Sequence, residues 1–129
     1  MLTPKEVVNQ TIHHPLLREK GVTLSIKRLD IVHPQVSGNK FFKLKYNIEE
    51  ALSKRHQTLI TFGGAYSNHI AATAFAAQKA GLKAIGIIRG EKIQPLNPTL
   101  ELAQSLGMIL HFISREEYRK KQKSNFNWI

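Results

Sequence analysis

The chain has 129 residues, 42% hydrophobic and 22% charged, a composition that suits one water-soluble globular domain with a core of its own. No apolar run approaches the roughly 18 residues that cross a bilayer, the N-terminus lacks the apolar core of an export signal, and the absence of cysteine excludes disulfides, thiolate metal sites and a cysteine nucleophile. These features point to a cytoplasmic protein with no membrane partner, and its net charge of +10 has to be weighed as a sign of polyanion binding.

Residues 22–33 open with apolar and polar side chains in alternation, the pattern of a strand, which Pro34 ends. Over residues 38–55 the period changes to that of a helix. Phe41, Leu44, Ile48, Ala51 and Leu52 fall on one face, with Lys43, Lys45, Glu49, Glu50 and Lys54 off it. Strands are then expected at 58–62, 83–88 and 108–113, starting at equal intervals, and the last two are near-continuous apolar runs of the kind covered on both faces. Between them, residues 68–80 form an alanine-rich helix closed by Gly81, and Asn97-Pro98-Thr99 starts a helix closed by Gly107. Ser114-Arg115-Glu116-Glu117 has the spacing of a capping box for one more helix. Together these elements predict a three-layer α/β unit with a mostly parallel sheet, flanking helices and right-handed crossovers. The one basic cluster (Arg115, Arg119, Lys120, Lys121 and Lys123) has no interleaved aromatics to stack bases. It reads as a solvated helix end and tail, and no nucleic-acid partner is expected.

In such a sheet, ligands sit beyond the carboxyl ends of strands. There lies Thr61-Phe62-Gly63-Gly64-Ala65-Tyr66-Ser67-Asn68-His69, where a strand ends in a glycine pair and a helix opens with short polar side chains. Free N–H groups and a positive dipole end make that helix start a seat for a carboxylate or phosphate. The plain alternative is that Ser67 or Asn68 only caps the helix. The motif is neither a P-loop nor a Gly-x-Gly-x-x-Gly fingerprint. Around Ser67 the Gly-x-Ser-x-Gly pattern of a hydrolase elbow does not occur. The histidines show no metal spacing: His13 and His14 are adjacent and no His-Glu-x-x-His occurs, so no metal site is expected.

A second motif, Ser37-Gly38-Asn39-Lys40-Phe41-Phe42-Lys43-Leu44, puts a lysine just after a glycine turn at a helix start. A nucleophilic amine facing an anion-binding helix start is what a carbonyl cofactor such as pyridoxal phosphate needs. Burial or a neighbouring cation must lower that amine's pKa, and Lys43 one turn on is such a cation.

Taken in order, Lys27-Arg28-Leu29-Asp30, the Lys40 motif and the Gly63-Gly64 motif resemble the 1-aminocyclopropane-1-carboxylate deaminase / D-cysteine desulfhydrase family. The likeness extends to Ala80-Gly81-Leu82-Lys83 and Arg89-Gly90-Glu91. The resemblance implies a pyridoxal-phosphate enzyme of the tryptophan-synthase-β fold type that converts a small amino acid to a 2-oxo acid and ammonia. It further implies Lys40 as the Schiff-base lysine, Lys43 near the cofactor phosphate, and Asn68 on the pyridine 3-oxygen. Ser67, Asn68 and His69 would bind substrate, with Ser67 also a candidate for proton transfer. Phe42 stands where members often carry arginine. His69 stands where the cyclopropane deaminases usually have glutamine, which leans toward the desulfhydrase branch. Members are more than twice as long, and their glycine-rich phosphate loop has no counterpart after residue 90. The expectation is therefore a truncated chain, inactive alone: residues 1–36 as a lead with one strand of a missing large domain, and 37–129 as the small α/β domain. The complete protein would be a homodimer. The other reading kept open is a non-catalytic α/β anion-binding domain.

Overall fold

The computed structural model describes residues 2–120. Its N-terminal part is a two-stranded antiparallel sheet, β1 (Asn9–Ile12) on β2 (Leu24–Lys27), with the short helix α1 (Pro15–Glu19) between them. His14 caps α1, its Nδ1 accepting the Leu16 N–H at 3.2 Å, and Pro15 follows at the first helical position. The expected strand over 22–33 is thus shorter than its pattern, and residues 1–36 hold two strands where one was expected. Arg28 supplies the reason. Its Nε and Nη2 donate to the two carboxylate oxygens of Asp30 at 2.9 and 2.7 Å, and its Nη1 donates to Gln10 Oε1 of β1 at 2.7 Å. That fork ends the extended run, and Leu29–Ile31 coils into a 3-10 turn that returns Val32 and Val36 to the core.

Gly38 has φ 63° and ψ −149°, a backbone region open essentially to glycine alone, and it starts α2 (Asn39–Ser53). This helix buries Phe41, Leu44, Ile48 and Ala51, but Leu52 stays 45% exposed, so the apolar stripe is narrower than its periodicity suggests. Next come β3 (Thr58–Gly64), α3 (Asn68–Ala80), β4 (Lys83–Arg89), α4 (Pro98–Ser105), β5 (Met108–Ile113) and α5 (Arg115–Arg119). β3, β4 and β5 form a parallel sheet in that order, with Ile60 opposite Ile85 and Ile85 opposite Ile109. The α/β architecture with a parallel sheet and flanking helices is the one expected. The end signals hold as well: Gly81 is left-handed after α3, Asn97 caps α4, and Ser114 and Glu117 close a reciprocal capping box on α5.

Two apolar clusters meet at α3. Ala72 and Ala76 pack with Phe41, Leu44 and Ile48 of α2 and with Leu2, Val32 and Val36 of the N-terminal part. Ile70, Ala74 and Ala77 pack with Ala84, Ile88 and Met108 of the sheet and with Leu100 and Ala103 of α4. A helix with neighbours on so many sides needs small side chains, which explains its alanine content. On the opposite sheet face Tyr118 of α5 meets Phe62 edge-on, with ring centroids 5.9 Å apart. There Ile60 and Ile109 remain 46% and 55% exposed, so among the described residues that face is covered less fully than its apolar runs suggested.

β3 enters α3 by a close approach at Gly63. A Cβ there would stand 2.5 Å from Ile70 Cγ1, 2.8 Å from its Cδ1 and 3.0 Å from Ser67 Cβ, and Ile70 is fully buried and has nowhere to swing. At Gly64 the nearest atom to an added Cβ is Arg89 Nη2 at 3.8 Å. Gly63→Ala is expected to cost about 1–3 kcal/mol by overpacking, and Gly64→Ala to stay within about 0.5 kcal/mol of the parent. Urea unfolding midpoints of the two variants check this; equal midpoints would refute the packing account.

Candidate functional site

Three short segments converge at the carboxyl end of β3. The first is the turn itself. Ser67 occupies the N-cap position of α3 with extended backbone (φ −79°, ψ 112°), but its hydroxyl makes no capping hydrogen bond. The simple capping role considered for Ser67 is therefore not what its side chain does. Asn68, the first residue of α3, is exposed, as is Tyr66. The turn is tied down from α4: Asn97 Nδ2 donates to the Ala65 carbonyl at 3.0 Å, while Asn97 Oδ1 accepts from the N–H groups of Thr99 and Leu100. The sequence identified Asn97 as a cap and nothing more. Its second bond reaches 32 residues back, and no local pattern marks it.

The second segment is the first turn of α2. The Gly38 turn and the buried Phe41 fix its start, so Lys40 is half-buried at the helix mouth and Lys43 lies exposed one turn further. Lys40 Nζ donates to Asn39 Oδ1 at 2.9 Å.

The third is the imidazole of His69, half-buried on α3. Its Nε2 lies 2.9 Å from Thr61 Oγ1 of β3 and 3.5 Å from Thr73 Oγ1. Its Nδ1 is fully shielded from solvent and has no hydrogen-bond partner among the described residues. Burial, and then the charges of Lys40 and Lys43, push the His69 pKa below its ordinary value. That coupling joins the two sequence motifs: Lys40, Lys43 and His69 share one electrostatic environment, with Ser67 in the adjoining turn. Asn68 neighbours them in sequence, but no hydrogen bond among the described residues links it to the three. Thr61 and Thr73, which hold His69, were not singled out by the sequence. Their signal, a threonine on the strand and another one helical turn after a histidine, is too common to stand out.

The arrangement offers a half-buried primary amine, a second cation, a neutral imidazole with one unmatched buried nitrogen, and a helix start. Those groups fit a ligand carrying both an aldehyde and an anionic group. Pyridoxal phosphate is a molecule of that kind.

No protein-family model matches the chain. A Thermotoga maritima protein provisionally named a 1-aminocyclopropane-1-carboxylate deaminase is 42% identical over 106 residues, covering 81% of this chain and 33% of that one. The mitochondrial bifunctional D-cysteine desulfhydrase/1-aminocyclopropane-1-carboxylate deaminase of Arabidopsis thaliana is 38% identical over 103 residues, 76% of this chain and 26% of its own. Among solved structures, that of an ACC deaminase homologue superposes with a TM-score of 0.72 at 36% identity, over 88% of this chain and 34% of that one. The chain thus spans about a quarter to a third of the length of the proteins it matches.

A depressed histidine pKa has a definite consequence for stability. The unfolded chain takes up a proton near pH 6.5 and the folded chain only at lower pH, so stability is full above about 6.5 and falls as pH drops below it. His33 acts in the same sense, lowered by burial and by the charge of Lys5. The thermal midpoint is expected to fall between about pH 7 and 5, and His69→Gln to flatten that fall. An unchanged slope in the variant would show that His69 is not held neutral by its surroundings.

Proposed function

We propose that this chain, a homologue of the N-terminal part of 1-aminocyclopropane-1-carboxylate deaminases and D-cysteine desulfhydrases, is the amine-bearing, substrate-binding portion of a pyridoxal-phosphate enzyme acting on a small amino acid. One observation carries the reading beyond homology. Lys40 and Lys43 bring their charges to the imidazole of His69, whose buried Nδ1 has no partner among the described residues, at the carboxyl end of a parallel strand.

On this reading Lys40 holds the cofactor through its carbonyl, Lys43 neutralises its phosphate, and Asn68 binds the pyridine 3-oxygen. Ser67, whose hydroxyl is not spent on capping, joins the N–H groups at the start of α3 in gripping the substrate carboxylate and is the candidate for moving the proton next to the amino group. Asn97 keeps that turn in place through the Ala65 carbonyl. His69 contributes a neutral side chain beside two cations, and its presence favours D-cysteine over the cyclopropane amino acid. When bound, pyridoxal phosphate supplies an electron sink for a carbanion beside the amino group, so that loss of sulfide or ring opening ends in a 2-oxo acid and ammonia.

The remaining parts of the proposal concern the whole protein. Val22, Leu24, Ile26 and Ile31 are exposed apolar residues of the N-terminal part, which suits residues 1–36 as a lead packed against a larger domain, with 37–129 as the small domain. The rest of the cofactor site then lies outside these 129 residues, which alone would turn over little, and the complete enzyme would be a cytoplasmic homodimer.

The test is covalent capture. The protein is purified from its source with pyridoxal phosphate, reduced with borohydride and digested. A phosphopyridoxyl group is expected on the Lys40 peptide and is expected to vanish in Lys40→Ala. Label scattered over surface lysines and indifferent to Lys40→Ala would refute the enzyme and favour a non-catalytic anion-binding domain.

A further inference from the structure

We infer that Thr61 is a positioning residue: its hydroxyl donates to Nε2 of His69 and thereby holds the ring as the tautomer that carries its proton on Nδ1. The assignment follows from counting donors and acceptors around the ring. Thr73 Oγ1 donates its one hydrogen to the His69 carbonyl at 2.8 Å, so toward Nε2, 3.5 Å away, it has only lone pairs to offer. Thr61 is 9% exposed, and Nε2 at 2.9 Å is the partner of its hydroxyl among the described residues. Two neutral arrangements are open. With the proton on Nε2, the ring donates to Thr61; the Thr61 hydrogen is then left without an acceptor and Nδ1 without a donor. With the proton on Nδ1, the Thr61 hydroxyl is satisfied by Nε2 and a single group, the Nδ1–H, is unmatched. Buried polar groups left unmatched are costly, so the arrangement with one is preferred to the arrangement with two.

The consequence is a fixed donor. Nδ1–H is buried, has no partner among the described residues, and belongs to a ring within the reach of the Lys40 and Lys43 charges. Those cations oppose a second proton on the ring, and they draw an anion to the same place. The tautomer and the role of Thr61 stand independently of the function proposed above.

The experiment is a long-range proton–nitrogen correlation spectrum of the imidazole rings in the 15N-labelled 129-residue chain without cofactor, near pH 7.5, with His69→Gln to assign the signal. The parent is expected to show a protonated Nδ1 and an unprotonated Nε2. Thr61→Val keeps the shape and removes the hydroxyl. The Nδ1–H signal is expected to be lost as the proton moves to Nε2, where Thr73 Oγ1 accepts it. Thr61→Ser is expected to restore the parent spectrum, which a merely space-filling role for Thr61 would not require. An Nε2-protonated parent, or an unaltered tautomer in Thr61→Val, would overturn the inference. Should Thr61→Val fail to fold, Thr61→Ala, which also lacks the hydroxyl, is read by the same signal, and an Nε2-protonated parent still overturns the inference. Failure here with the Lys40 label intact removes only the role of Thr61; loss of the label with this tautomer present removes the function and leaves Thr61 in place.

Discussion

The close approach of α3 to β3 at Gly63 is the constraint on which the rest of the site depends. With no room for even a methyl group against Ile70, the strand passes directly into the turn and the helix rises close against the sheet. That proximity lets a side chain on the first turn of α3 reach back to one on β3, which is how His69 meets Thr61 at 2.9 Å. The alanines of α3 extend the same logic along the helix, since small side chains allow α2, α4 and the sheet all to crowd around it. A larger residue at Gly63 would push the helix away and release the histidine together with its packing.

Electrostatics then turns this geometry into chemistry. The half-buried imidazole and the charges of Lys40 and Lys43 share one small region, and the ring answers by staying neutral. Excess positive charge beside a helix start, with a buried nitrogen that has no partner among the described residues, is the imbalance on which the proposed function rests. The ion pairs elsewhere, such as Glu50 with Lys54 and Glu116 with Lys120, are solvent-exposed helix pairs that serve the surface and add little to stability.

The apolar surface left open has a pattern of its own. It is densest in the N-terminal part, at Val8, Leu16, Val22, Leu24, Ile26 and Ile31, and recurs on the sheet face that bears Ile60 and Ile109 and on the outer sides of α2 and α4. The helix-covered face is packed to completion, with Ile88, Leu100 and Ala103 fully buried. The space between the sheet and α3 and α4 is thus closed while the N-terminal part presents hydrophobic side chains, in keeping with a chain that spans only part of its relatives' length.

Much of this was legible in the sequence because it depends on neighbours within one turn. The three parallel strands, the helix over 68–80, the Gly81 and Asn97 ends and the Ser114 capping box all follow from local periodicity and local hydrogen bonding. Lys40, Lys43, Ser67, Asn68 and His69 stand in two short motifs near element starts, and their candidate roles came from the resemblance those motifs carry. What the sequence could not show are relations between distant residues. β1, Asn-Gln-Thr-Ile, has no alternation of its own and is a strand only because β2 supplies its hydrogen bonds. Leu52 fits the helical stripe but finds little to cover it among the described residues. Asn97 holding Ala65, Thr61 holding His69, and two lysines on α2 setting the charge of a ring on α3 are all products of packing. Local pattern determines which elements form and where they stop; only the folded chain decides which side chains are buried together, because burial and charge coupling act through space and leave no period in the sequence.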